Sequence, residues 1–285
     1  MKTGATLVVG STGRVGREVA RLLAEKGERV RAATRDPGRF VFHAPLEPVH
    51  FDFDEPRTFG PALKGVERLF LIARPGDNNS DTAAKPLIDE AKKGGIRLIV
   101  NLTAMGAEQD EAFMLRILEK HVEASGIPFV HLRPNWFMQN FDSGPIFTDI
   151  RATHAIHLPA ADARLSFIDV RDVAAVASEV LTEKGHAGKA YTLTGGESLT
   201  HFDVAEKVSR AAGRRVAYVP ISEEAARAGL AARGVPSGYI ERWADFFRKV
   251  RKGLCAPVSG DVEEVLGRPP LLFDHYAEGH AKSWQ

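Results

Sequence analysis

Three glycines at fixed spacing, Gly10-x-x-Gly13-x-x-Gly16, stand between the apolar run Ala5-Thr6-Leu7-Val8-Val9 and a segment whose Val15, Val19, Leu22 and Leu23 recur at helical spacing. Strand, glycine turn and helix in that order make a cradle for a pyrophosphate. Gly10 lets the chain turn sharply, Gly13 lets backbone N–H groups approach the phosphates, and Gly16 lets helix and strand pack closely. Ser11, Thr12, Arg14 and Val15 fill out the loop, and the N-terminus of the helix presents N–H groups to an anion. A glycine triplet on its own also fits a tight turn that binds nothing. The strand before it, the helix after it and its place near the start of the chain favour dinucleotide binding.

The end of the second predicted strand, Arg29 to Thr34, bears on which dinucleotide. A fold that binds NAD(H) usually closes this strand with a carboxylate, which accepts hydrogen bonds from the ribose hydroxyls. Here Thr34 closes it and Arg35 follows, offering a cation to a 2′-phosphate. NADP(H) is therefore the expected cofactor, with NAD(H) as the alternative if Arg35 is merely solvated and Asp36 supplies a late carboxylate. Asp52 and Phe53, in a third strand and its exit over Pro48–Asp54, offer an acceptor and a flat wall near an adenine. Asp54 reads equally as a cap for a short helix over Pro56–Leu63.

Further along, Arg68–Ile72 exits into Ala73-Arg74-Pro75-Gly76, and Arg97–Leu102 exits into Thr103-Ala104-Met105-Gly106. Both runs are almost wholly apolar, as strands buried on two faces are. Helices over Asp81–Lys93 and Gln109–Ser125 then make crossover units and a parallel sheet, whose ligands sit beyond the carboxyl ends of the strands. That rim collects Gly10 to Gly16, Ala73, Arg74, Thr103 and Met105. A sixth strand, Pro128–Leu132, runs into Arg133-Pro134-Asn135-Trp136-Phe137-Met138-Gln139-Asn140-Phe141. Asn135, Trp136, Phe137, Met138 and Asn140 suit a pocket for a flat ligand and suit packing between domains equally well. His131, inside the strand, reads as a satisfied core residue.

Past residue 142 the pattern changes. Arg164–Ile168 reads as a short strand, Asp169–Val176 opens a helix with acids in its first turn, and Tyr191–Gly196 is a strand and turn. Thr200-His201-Phe202-Asp203 begins a helix as a capping box, Ser222 begins another, and Ile240, Trp243, Phe246, Phe247 and Val250 form one stripe of a third. That stripe reads as core, the wall of a substrate pocket or a dimer face.

Composition bounds these readings. In 285 residues, 38 basic and 37 acidic side chains nearly cancel, which argues against nucleic acid as a partner. One cysteine, Cys255, leaves no internal disulfide and no cysteine zinc site, and no metal site is expected. No apolar stretch approaches 18 residues, and Met1-Lys2-Thr3-Gly4 leads into the first strand without a signal peptide, so a cytoplasmic protein without a membrane partner is expected.

Taken together, Gly10-x-x-Gly13-x-x-Gly16, Thr34-Arg35-Asp36-Pro37, Asp52-Phe53-Asp54-Glu55-Pro56, Ser125-Gly126-Ile127-Pro128, Leu132–Asn140, Phe167–Ala174 and Tyr191–Gly195 resemble the NmrA-like family of atypical short-chain dehydrogenase/reductases over nearly the whole chain. The resemblance implies an α/β fold, a Rossmann-type doubly wound parallel sheet with a smaller C-terminal α+β substrate domain. Residues 1–140, joined by roughly 165–195, would bind NAD(P), and 141–285 would form the smaller, mainly helical domain, with substrate in the cleft between. The family includes NADPH-dependent quinone, azo-dye and triphenylmethane-dye reductases as well as regulators that bind the cofactor without turnover.

Most short-chain dehydrogenases pass a proton through Tyr-x-x-x-Lys. This chain has four tyrosines, Tyr191, Tyr218, Tyr239 and Tyr276, all beyond the region of that motif, and Leu115 stands where related isoflavone-type reductases keep a lysine. The expected function is NADPH-dependent hydride transfer to a small aromatic or conjugated acceptor, with solvent supplying the proton. Thr103 would orient substrate or nicotinamide as the catalytic residue. Met105, Asn135, Trp136, Phe137, Met138 and Asn140 would shape the acceptor site of a monomer or homodimer. A cofactor-sensing regulator is the alternative. A nucleotide-sugar epimerase ranks third, since it too needs the absent tyrosine and lysine.

Overall fold

Strands without a polar face must be covered on both sides, and the chain meets this with crossover helices. The computed structural model describes residues 4–42, 45–74 and 80–285. Met1–Thr3 of the expected leaderless start and Pro75-Gly76 of the fourth strand's exit lie outside the described residues. Within them the strands are β1 (Ala5–Val8), β2 (Val30–Thr34), β3 (Glu47–His50), β4 (Val66–Ile72), β5 (Leu98–Leu102), β6 (Phe129–Pro134), β7 (Ala155–Leu158), β8 (Arg164–Leu165), β9 (Lys189–Leu193), β10 (Leu199–Thr200) and β11 (Ala217–Pro220). The helices are α1 (Arg14–Glu25), α2 (Phe59–Leu63), α3 (Ser80–Lys93), α4 (Met114–Ala124), α5 (Pro145–Thr153), α6 (Val170–Thr182), α7 (His201–Ala212), α8 (Glu223–Ala232), α9 (Ser237–Arg251), α10 (Asp261–Leu266) and α11 (Phe273–Gly279).

Contacts divide the chain into two compact units. The first, residues 1–134, 170–192 and 264–267, holds a seven-stranded sheet of order β3-β2-β1-β4-β5-β6-β9. Every registered pair from β3 to β6 is parallel. The fold is thus a Rossmann-like α/β sheet whose order reverses at β1, the place where such sheets bind ligands. Helix α1 packs with α6, while α2, α3 and α4 pack together over a core built on Leu7, Val9, Leu69, Leu71 and Ile99.

Two element ends lie where a short polar side chain captures the backbone. Strand β3 ends at His50 and exits through Asp52–Asp54 as expected, where Asp52 Oδ1 accepts the Asp54 N–H (3.0 Å) and Thr58 Oγ1 the Asp52 N–H (3.2 Å). Helix α4 starts at Met114 rather than Gln109. A 3-10 turn over Ala107–Gln109 precedes it, and Asp110 Oδ1 then accepts the Ala112 N–H.

The second unit comprises residues 135–169, 193–263 and 268–285. It contains a parallel pair, β7 with β11, an antiparallel pair, β8 with β10, and helices on one aromatic core. The capping box at Thr200 forms as its sequence suggests: Thr200 Oγ1 accepts the Asp203 N–H while Asp203 Oδ2 accepts the Thr200 N–H. Along α9, Ile240, Phe247 and Val250 are buried, and Trp243 and Phe246 pack partly buried against the same core.

Candidate active site

In the first unit, the loop after β1 wraps around one carbonyl. Gly10 takes φ +72°, the left-handed region that favours glycine, and its carbonyl accepts the Gly13 N–H at 2.8 Å. A Cβ on Gly13 would lie 3.3 Å from that oxygen, and one on Gly16 only 2.3 Å from it. Gly16 therefore admits no side chain without movement of the backbone, whereas Gly13 is exposed and merely tight. Ser11 is buried and donates its hydroxyl to the Ala33 carbonyl (2.7 Å), pinning the loop to β2. Val15 is buried below, and Thr12 and Arg14 face solvent. The first helical bond runs from the Arg17 N–H to the Gly13 carbonyl (3.0 Å), so earlier N–H groups of the turn have no acceptor within the helix. A loop packed this tightly on its own backbone at a helix N-terminus, with Gly13 exposed and bare of a side chain, fits a pyrophosphate.

At the end of β2 the Thr34 hydroxyl accepts the Asp36 N–H (3.3 Å), and Asp36 pairs with Arg39 (3.4 Å). The late carboxylate weighed as an NAD(H) reader is thus engaged locally. Arg35 is exposed, and its backbone carbonyl is tied to His50 Nδ1 at 3.0 Å. At the exit of β3, Phe53 meets Phe51 edge-on at 5.0 Å, and Arg74 from the end of β4 lies 5.9 Å over the Phe53 ring. Arg74 also pairs with Asp54 (2.8 Å), so Asp54 is an ion-pair partner and not a helix cap. Asp52 is half-buried and Ala73 buried beside them.

Thr103, the first residue past β5, is buried, and its hydroxyl donates to Glu119 Oε1 at 2.8 Å. Glu119 of α4 is fully buried and receives Arg133 through Nε (2.9 Å) and Nη2 (2.8 Å), with Arg116 Nη1 at 3.0 Å. Burial alone would raise the Glu119 pKa, but the bonds from Arg133 and Thr103 outweigh it and hold the carboxyl below the usual range. Sequence reasoning did not find Glu119 or Arg116. The available signal was Arg133, a guanidinium in a strand otherwise bound for the core, which requires a buried acid.

His131 departs from its sequence reading. It is buried, but neither ring nitrogen makes a hydrogen bond among the described residues; Nε2 lies 3.3 Å from Glu123 without the alignment of one. Burial pushes its pKa down against the pull of Glu119 and Glu123. Glu119, Glu123 and His131 bring potential ligand atoms within 4.8 Å of one another. Arg116 bonds both carboxylates and Arg133 grips Glu119, so a divalent cation would face two guanidiniums, and the geometry favours an ion-pair network.

In the second unit, the Asn135 amide is wholly engaged: Nδ2 donates to Ser166 Oγ and the Cys255 carbonyl (2.8 Å each), and Oδ1 accepts the Trp136 N–H (2.8 Å). Trp136 lies against Phe246 (5.0 Å), Phe247 (5.2 Å) and His201 (5.7 Å), and Met138 is buried in the same core. For these three the geometry describes packing. Phe137 and Asn140 are half-buried, as is Met105 in the first unit. Among the tyrosines, Tyr218 donates to the Leu158 carbonyl (3.0 Å) with burial pushing its pKa up to about 12. The Tyr191 hydroxyl meets His186 Nδ1 at 2.7 Å, Tyr276 is buried, and Tyr239 is exposed on α9. Leu115 packs on the core beside α3. No helix among the described residues is long and apolar enough to cross a membrane.

A sequence model of the NmrA-like family matches residues 2–252. The chain is 34% identical over 284 residues to an NAD(P)H azoreductase of Xenophilus azovorans, covering 98% of each. It is 33% identical over 285 residues to a (4-alkanoyl-5-oxo-2,5-dihydrofuran-3-yl)methyl phosphate reductase of Streptomyces griseus, again covering 98% of each. The fold is similar to that of the Citrobacter sp. triphenylmethane reductase complexed with NADP(H), with a TM-score of 0.83 and 23% identity over 97% of this chain and 99% of that one.

Proposed function

The chain belongs to the NmrA-like family, and from that premise we propose that it is an NADPH-dependent reductase passing hydride to a small conjugated acceptor, a quinone or azo compound, without a tyrosine–lysine pair. The observation that carries this reading is the glycine loop wound on the Gly10 carbonyl at the N-terminus of α1, at the same sheet edge that ends in Arg35, Arg74 and Thr103. In this reading Gly10 to Gly16 hold the pyrophosphate, Arg35 reads the 2′-phosphate, and Asp52, Phe53, Ala73 and Arg74 line the nucleoside side. Bound there, NADPH supplies a hydride, and the acceptor takes its proton from solvent.

The residues of this chain position and do not protonate. Thr103 has its only hydroxyl proton engaged by Glu119, and two of the three buried tyrosines, Tyr191 and Tyr218, have their hydroxyls engaged inside the protein. Rate enhancement then rests on geometry, since holding donor and acceptor in reacting position can supply about 7–11 kcal/mol of a barrier. Met105, half-buried two residues past Thr103, is the acceptor-side residue of this proposal in the first unit. Its setting is the cytoplasm.

A panel of quinones, azo dyes and enones, each assayed for oxidation of NADPH and in parallel NADH, tests it. Turnover of at least one acceptor with NADPH preferred supports the reading. Tight NADPH binding with no oxidation across the panel would replace it with a cofactor-sensing regulator.

A further inference from the structure

The contacts of Thr103 carry a consequence for what it can recognise. Its hydroxyl has one hydrogen and two lone pairs. Glu119, gripped by the Arg133 fork and by Arg116, is a carboxylate and only accepts, so at 2.8 Å the hydrogen between them must come from Thr103. A second weak acceptor, the Leu132 carbonyl at 3.4 Å, lies on the protein side as well. What Thr103 has left to offer is a lone pair.

We infer that Glu119 is a positioning residue that makes Thr103 a hydrogen-bond acceptor at the end of β5, specific for a ligand group with a hydrogen to give, the carboxamide NH2 of the nicotinamide. The inference rests on the proposed cofactor site but concerns a different property of it. An aromatic carboxamide offers both an N–H and a carbonyl, so a residue that can only accept selects the N–H and sets which way the amide turns. A threonine free to rotate would accept either end. The Arg133 fork and the Arg116 guanidinium hold Glu119 in one orientation, which in turn removes that freedom. Arg116 is tied besides to Glu123 (2.7 Å), so the network is anchored on α4 at two points one helical turn apart.

The test compares binding of NADP+ with that of its 3-acetylpyridine analogue, in which a methyl ketone replaces the carboxamide and no N–H remains. Calorimetric titration without an acceptor substrate reads binding alone. Wild-type protein is expected to bind NADP+ about two- to tenfold more tightly than the analogue, the range of one net hydrogen bond. Thr103→Val should bring that ratio to about one, and Thr103→Ser should keep it. Glu119→Gln, whose amide can donate to Thr103 and free its hydrogen to point outward, should shrink or invert the ratio. A merely structural loss would weaken both ligands together and leave the ratio intact. If Glu119→Gln does not fold, the Thr103→Val and Thr103→Ser pair decides alone. A ratio unchanged in folded Thr103→Val overturns the inference while leaving the cofactor site standing. Failure of the wild type to bind NADP+ at all removes the site and the inference together.

Discussion

Gly13 and Gly16 look alike in the sequence and differ by 1 Å in what surrounds them: the Cβ each would acquire lies 3.3 Å and 2.3 Å from the Gly10 carbonyl oxygen. Gly16→Ala is therefore expected to destabilise the fold by about 1–3 kcal/mol, the usual cost of forcing an atom into packed surroundings, read from the urea midpoint. Gly13→Val should fold nearly normally and lose NADPH, because its branches occupy the space of a phosphate; unchanged affinity in a fluorescence titration would move the phosphate elsewhere. Arg35, exposed and tied through its backbone carbonyl to His50, makes a cleaner case. Arg35→Ala should weaken NADPH by about one to two decades, the worth of a charge-assisted bond, and barely affect NADH. Equal losses for both cofactors would show that Arg35 does not read the 2′-phosphate.

Elements in this chain end where side chains intervene. Asp52 and Asp110 turn the backbone out of a strand and delay a helix, and Thr200 with Asp203 starts α7 at the residue their spacing suggests. Thr200→Ala removes the cap acceptor and is expected to cost about 1 kcal/mol, measured as a lowered urea midpoint with unchanged m-value. No measurable loss would mean that the packing of α7 on α11 and β11 holds its first turn without the cap. Helix α9 behaves in the same local way, its stripe settling as core, one of the three readings its spacing allowed.

For the whole molecule, histidines buried in their neutral form add to the response to acid near neutrality, above the range in which the lowered carboxylates such as Glu119 titrate. His201 is fully buried among Trp136, Phe141, Phe167 and Tyr218, and desolvation pushes its pKa from 6.5 to about 3. Between those values the unfolded chain binds a proton that the folded chain refuses. Stability present in full above about pH 6.5 is then lost as pH falls, by up to ~1.4 kcal/mol per unit, until the folded pKa is reached. Burial lowers His131 as well, which acts in the same direction. Replacing His201 by Phe should flatten the fall of the urea midpoint between pH 7 and pH 5. Parallel declines for wild type and variant would assign the acid sensitivity elsewhere.

The sequence by itself determined the parallel sheet, the glycine loop and the order of the elements, because strand burial, helical spacing and capping are written in residues a few positions apart. The rim residues from Gly10 to Thr103 were legible for the same reason: a parallel strand delivers whatever follows it to one edge of the sheet. Only the tertiary structure decided that Asn135 and Met138 pack, that Asp54 pairs with Arg74, and that Thr103 answers to Glu119 sixteen residues away. These outcomes depend on which side chains from distant segments meet with their hydrogen-bonding groups aligned. Burial makes an unmatched polar group costly, so the partner that three-dimensional packing supplies, and not the residue type, settles what each one does.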